Sequence, residues 1–339
     1  MEIFANLKTG NIHLYPMHKM TNLEYSYMVS ELSALAVGKH FSRIRKIADG
    51  IYRMKIGTFE ILCELGVRLH TTKYIEESQP HDKFVQKLEK ELDNARLLEI
   101  KQINNDRIIS FDFDRASLVF EMFGKGNIIL VKEGKTAAAF KYESWSDREI
   151  KVGSPYKSPS NVPMEKLVPT DKYIAVSLMK LPLGKEYVQE ALLRSNIDEK
   201  TSGSKLSPDQ LKELEGHLDS IKSSASPYLY KSGEKPVAFS LAKLSSLSEF
   251  TFQETKSLSE AADEYYSNVD APNLELEKLQ KRLEKQKERV ELLRQEEISH
   301  KEKGDYIYAH YAEVQQVLED AKAGKGKLNK KEKSVEAEI

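Results

Sequence analysis

The chain has 339 residues, 40% of them hydrophobic and 31% charged, enough apolar material for cores in about two or three domains. Its 52 Lys and Arg against 53 Asp and Glu leave a formal net charge of -1, so the total alone excludes any argument for an acidic or basic partner, and local patches have to be read instead. The single cysteine, Cys63, excludes an internal disulfide and the four-cysteine zinc modules common in nucleic-acid enzymes.

The opening "MEIFANLKTG" has no basic segment followed by an apolar one, and no run approaches the length of a membrane span, so a cytoplasmic protein is expected. Residues 21–37 read as a helix, with Thr21 or Asn22 as cap, Glu24 placed for a capping box and Gly38 at the end. Short runs separated mostly by glycine follow ("HFSRIRKI", "GIYRMKIG", "FEILCELG", "VRLHTTKY") and predict an antiparallel meander, with Cys63 as a small core residue. A second helix is expected over 80–95, where Phe84, Val85, Leu88 and Leu92 share a face. Strands resume with "RLLEIKQIN", "DRIISFDFD", "ASLVFEMF" and "NIILVKEG"; Ile109, Phe111 and Phe113 alternate with polar residues as in a half-buried strand.

The fold class is therefore α+β, with a β-rich domain carrying two helices over 1–168. A Pro- and Ser-rich stretch ends it, and short helices are expected over 169–224. There "MKLPLGKEYVQEALL" has the form of a helix-hairpin-helix turn, in which the N–H groups at Gly184 and Lys185 would be free to face a phosphate; an ordinary helical hairpin explains the same pattern. Residues 225–256 read as a short β return segment, and 257–339 as a charged helical arm. Leu276, Leu279, Leu283, Val290 and Leu293, with Gln286, form a heptad seam that needs a partner helix, from a dimer or from further chain. The lysine-rich "KAGKGKLNKKEK" is not expected to fold alone.

Each chemical motif has a plainer counterpart. Arg68 and His70 share a strand face and suit phosphate or base contacts, although the polar outer face of a sheet accounts for the same spacing. "FGKGN" brings Lys125 and Asn127 to a glycine-bracketed turn that suits an anion, yet a simple hairpin suffices. It lacks the Lys-Ser/Thr of a phosphate-binding P-loop. No Ser-His-Asp or Cys-His arrangement and no metal-ligand spacing stands out, so nothing compels an enzyme, and no cofactor or metal is expected. In "KQINNDRIISFDFD", Asp106 and Arg107 stand together at the head of a strand, where a local ion pair at a turn is the plain reading.

Several blocks together resemble the NFACT family of NEMF-, RqcH- and FbpA-like ribosome quality control factors. They are "VGKHFSRIRKI", "LCELGVRLHTTKY", "FVQKLEKELDNARLLEIKQINNDRIISFDF", "LVFEMFGKGNIILVKEG", "LPLGKEYVQEALLRSNID", "SLSEAADEYYSN" and "KEKGDYIYAHYAEVQQVL". The match runs in order over most of 21–320. It implies an N-terminal domain like that of the Fpg/Nei DNA glycosylases, then a helix-hairpin-helix and a coiled coil. It implies a non-enzymatic factor that binds the large ribosomal subunit and its rRNA with a stalled peptidyl-tRNA. Such a factor recruits aminoacyl-tRNA (tRNA-Ala in prokaryotic relatives) for untemplated, alanine-type tailing. Asp106 and Arg107 match the family's Asp-Arg pair for tRNA, and Arg68, His70, Lys125 and Asn127 are further tRNA-binding candidates. Glycosylase chemistry is not implied: Glu2, not a proline, follows Met1, and the zinc-finger cysteines are missing. Full-length members extend further, so Ile339 is expected to be a truncation point. The alternatives are a non-catalytic DNA-binding or repair-related protein, favoured by fold analogy, an adhesin, against which the absent leader argues, and a plain coiled-coil scaffold.

Overall fold

The computed structural model describes residues 17–160, 162–323, 327–329 and 334–336. Helix α1 (Asn22–Ala36) begins at the expected box: the Thr21 hydroxyl accepts the Glu24 N–H at 3.3 Å and the Glu24 carboxylate accepts the Thr21 N–H at 2.8 Å. Four antiparallel strands then form a sheet in chain order, β1 (Phe41–Ala48), β2 (Ile51–Ile56), β3 (Phe59–Glu64) and β4 (Arg68–Thr71). After α2 (Lys83–Leu92), capped by Asp82, a second meander runs β5 (Leu97–Gln102), β6 (Ile108–Phe113), β7 (Ser117–Glu121), β8 (Asn127–Lys132) and β9 (Lys135–Ala139).

Helix α1 lies against β4 and β5, and α2 against β1 and β9, so each helix bridges the two sheets. Met28 and Leu32 of α1 share one core with Ile44 and Met54 of the first sheet and Phe111 and Leu130 of the second. The expected half-buried strand β6 is buried on both faces. Ile109, Phe111 and Phe113 enter this core, while Ile108 joins Val119, Ile129 and Ile150 on the opposite face. The short hairpin β10 (Glu143–Ser144) and β11 (Glu149–Ile150), with Tyr156 beyond it, supplies that second cover. Alternation marks which side chains share a face; it does not report what later chain lies on that face.

The chain continues through α3 (Ile174–Leu178), α4 (Lys185–Arg194) and α5 (Pro208–Ser223). A small sheet of order β13-β12-β14 follows, from β12 (Tyr228–Ser232), β13 (Lys235–Ser240) and β14 (Thr251–Glu254). Residues up to Asp270 pack as one compact unit, and the core holding Met28 also holds Tyr187, Leu218, Phe239 and Tyr266.

The second unit, Ala271–Ile339, contains most of α6 (Leu258–Ala309), α7 (Tyr311–Lys322), β15 (Lys327–Asn329) and β16 (Ser334–Glu336). Along α6, Leu283, Gln286, Val290 and Leu293 are exposed. The side chains of Leu276 and Leu279, also expected in the seam, lie outside the described residues. Within the lysine-rich stretch, β15 pairs antiparallel with β16, which follows the stretch, placing Leu328 opposite Val335. Among the described residues no helix is long and apolar enough to cross a membrane.

Candidate nucleic-acid interface

The connection from β5 to β6 is a tight turn. Asn104 and Asn105 both adopt left-handed backbone (φ 56° and 53°), and the Asp106 N–H donates to the Ile103 carbonyl at 3.0 Å. Asparagine tolerates this conformation better than other non-glycine residues, which explains the pair. Asp106 Oδ1 then accepts two hydrogen bonds, from the Arg107 backbone N–H at 2.7 Å and from the Asn22 amide at 3.2 Å. The same Asn22 amide donates to the Asn105 carbonyl, and Gln102 Nε2 donates to the carbonyls of Asn22 and Asp106. The turn is thus fastened to the first residue of α1.

The Arg107 guanidinium is left out of this network. Among the described residues it makes no hydrogen bond or ion pair, and the expected local Asp106–Arg107 ion pair does not form. Asp106 orients the backbone of Arg107, not its fork. The Arg107 charge reaches the Tyr25 hydroxyl, opposing the burial and the neighbouring Cys63 that push that hydroxyl's pKa well above its ordinary value. The sequence marks Asn22 only as a possible helix cap and Gln102 not at all; Asn22 lies more than 80 positions from the turn, and only the packing of α1 on β5 unites them.

The β7–β8 turn reaches the same end of the sheet, because the Met122 N–H donates to the Arg107 carbonyl at 2.7 Å. Lys125 is exposed there. The turn is a hairpin and not an anion nest: the Gly126 N–H is spent on the Phe123 carbonyl, and Lys141 Nζ sits on the carbonyls of Lys125 and Gly126. A Cβ on Gly126 would stand 2.6 Å from that of Leu65, so glycine is required where the two sheets' turns meet.

Three other candidates lie inside the protein. Asn127 is 1% exposed, and its amide both donates to and accepts from the Lys141 backbone. Arg68 is 5% exposed, with its Nε 2.8 Å from Glu64 Oε2 and its guanidinium over the Tyr266 ring. His70 is 0% exposed and stacks on Tyr266 at 5.8 Å, its Nδ1 donating to the Thr71 carbonyl. Burial, with Arg68 nearby, brings the His70 pKa down to about 3. Neither the surface-contact reading nor the outer-face reading of this pair holds, because the first turns of α6 cover β4. Asp263 binds the Thr72 hydroxyl and the Lys73 N–H there.

The start of α4 is also inward. Gly184 has φ 153°, and a Cβ on it would stand 2.5 Å from Thr21 Cγ2. Glu186 in the first turn lies with Glu24 and His18, whose ligand atoms fall within 4.8 Å of one another. This acidic setting corrects the phosphate contact expected at Gly184; Lys185 alone points outward. The cluster is not organised for a metal either. Glu24 Oε2 is taken by His18 Nε2 (3.0 Å) and the Thr21 N–H, and Glu24 Oε1 by the Tyr187 hydroxyl (2.8 Å). Burial works against both charges, yet each partner prevails: His18 is raised, and Glu24 is lowered.

The sequence profile described as NFACT N-terminal and middle domains matches residues 22–338. The chain is 27% identical over 361 positions to the archaeal Rqc2 homolog aRqcH of Methanocaldococcus jannaschii, covering 92% of this chain and 53% of that one. It is 23% identical to the human ribosome quality control complex subunit NEMF, covering 85% and 32%. The chain thus spans about half the length of the archaeal relative and a third of the human one. In fold it is similar to the fibrinogen binding protein from Staphylococcus aureus, with a TM-score of 0.57 at 20% identity over 73% of this chain and 98% of that one.

Proposed function

The chain belongs to the NFACT family, and from that premise we propose that it is the RNA-binding portion of a ribosome-associated quality control factor. It binds the large ribosomal subunit carrying a stalled peptidyl-tRNA and recruits aminoacyl-tRNA for untemplated, alanine-type tailing. Its similarity to an archaeal Rqc2 homolog and to a human ribosome quality control complex subunit supports the pathway. The arm beyond residue 257 pairs with a further helix as a coiled coil, using its exposed Leu283, Val290 and Leu293. Peptide bonds are made by the ribosome, and this protein positions.

One observation carries the local assignment. The turn that presents Arg107 is fixed by five hydrogen bonds from Asn22, Gln102 and the backbone of Arg107, while the guanidinium itself is uncommitted among the described residues. A planar fork on a rigid mount suits a phosphate or a base edge, because the backbone that carries it is already ordered and only the side chain has to be fixed on binding. Lys125 at the same end of the sheet adds backbone affinity.

Arg107→Ala is expected to lower tRNA occupancy on purified large subunits by roughly tenfold, the loss of one charge-assisted contact. The wild-type interaction should weaken steeply with added salt. Undiminished occupancy with a folded variant would remove Arg107 from the role, and preference for duplex DNA over tRNA would favour the glycosylase-like alternative.

A further inference from the structure

Trp145 is the one tryptophan in the chain, and it is 43% exposed. It opens a tight turn in which its N–H donates to the Arg148 carbonyl at 2.9 Å, bringing the Arg148 guanidinium to 4.4 Å from the indole ring. That guanidinium is buried and fixed. It donates to both oxygens of Glu121, at 2.6 and 3.0 Å, and to the Lys157 carbonyl, while the Tyr156 hydroxyl donates to the same carboxylate. The indole is therefore backed by a fixed planar cation while part of it stays open to solvent. Any aliphatic side chain can cover an ion pair; a large flat ring held this way is suited to receiving a second flat ring.

Its position is the second observation. The strap over residues 157–160 ties the Trp145 turn to the Asp106–Arg107 turn: the Ser160 hydroxyl donates to Asp147, and the Asn104 amide to the Ser158 hydroxyl. Phe123, within 6.0 Å of Arg148, directly follows the Met122 that bonds Arg107. The Trp145 turn and the Asp106–Arg107 turn are thus joined at one end of the second sheet, with Lys125 and Lys157 exposed beside them and the Asp147 carboxylate occupied by Ser160.

We propose that Trp145 is a stacking platform for an unpaired base of the RNA that Arg107 contacts. The proposal rests on the RNA-binding reading above. A rigid aromatic face accepts any base and needs that base out of a helix, so it selects single-stranded ends and loops over duplex.

The single tryptophan makes the test direct. In the full chain at low salt, bulk tRNA and a short single-stranded RNA should quench Trp145 emission, and blunt-ended duplex RNA should not. Trp145→Ala should weaken tRNA binding about tenfold, in the range found when a base–aromatic stack is removed. Trp145→Phe should restore most of the affinity, which a merely structural role would not require of a folded alanine variant. Salt-sensitive tRNA binding with unchanged emission, or equal affinity for the alanine variant, would overturn the platform and leave the RNA-binding reading standing. Failure of tRNA to bind at all would overturn both.

Discussion

At the residue scale, the buried Glu121–Arg148 pair makes a single substitution costly. Burial disfavours the Arg148 charge, and the bidentate Glu121 carboxylate more than offsets it, leaving the Arg148 pKa raised. Glu121→Ala would strand a buried cation, at a cost of about 3–5 kcal/mol in unfolding free energy, measurable by chemical denaturation. A loss under about 1 kcal/mol would mean that water reaches and solvates Arg148. The same comparison explains which candidate residues were legible. Asp106 and Arg107 stand beside two asparagines, and that cluster has a local meaning as a turn. Arg68, His70 and Asn127 have no local signal separating outer face from interior, because the covering residues Asp263, Tyr266 and Lys141 come from elsewhere in the chain.

At the element scale, the helices and strands were readable wherever periodicity and turn residues agreed. The two meanders fall between glycines and asparagines, and α1 opens on its own capping box. Helix α6 has a different start. Its first N–H groups, at Leu258 and Ser259, are capped by the Glu31 carboxylate of α1, at 2.9 and 3.2 Å, more than 220 positions away in sequence. Sequence around residue 257 could not announce this cap, since the acceptor is nonlocal. A carboxylate on a helix N-terminus satisfies orphan donors and complements the helix dipole. Glu31→Ala should therefore cost about 1 kcal/mol and lower the melting temperature. It should also speed amide exchange in the first turn of α6 more than in α1; exchange unchanged at Leu258 and Ser259 would show that Ser257 or water replaces the cap. The lysine-rich end resisted reading for the opposite reason. Composition there is dominated by charge, while the β15–β16 pairing places the lone apolar pair Leu328 and Val335 opposite each other.

At the scale of the whole molecule, distant parts of the first unit converge on His18. Its backbone N–H donates to the Tyr265 hydroxyl and its carbonyl accepts from that of Tyr266, both on α6. Its ring meets Phe239 of β13 edge-on at 4.4 Å, and its Nε2 meets Glu24 of α1. Glu24 in turn holds Tyr187 of α4, whose hydroxyl accepts the Leu241 N–H. The junction is ionic, so it should titrate. His18 is raised above 6.5, and its contribution to stability is complete below that pH and is lost as pH rises through the folded value. Glu186, raised by burial and then by Glu24, works in the same direction, because its ionisation in the folded state is also unfavourable. Glu24, lowered, loses its contribution only as pH falls below the carboxylate range. His70, held neutral down to about 3, lowers stability as pH falls below 6.5 and contributes no slope above it. Above about pH 6.5, the raised His18 therefore predicts a decline in melting temperature with rising pH, through its folded-state pKa. His18→Gln keeps a donor near Glu24 but has no proton to lose, so its melting temperature should be lower than wild type near pH 6 and flatter above it. Melts in matched buffers across that range measure both slopes, and parallel profiles for the two proteins would show that His18 is not charged in the folded state.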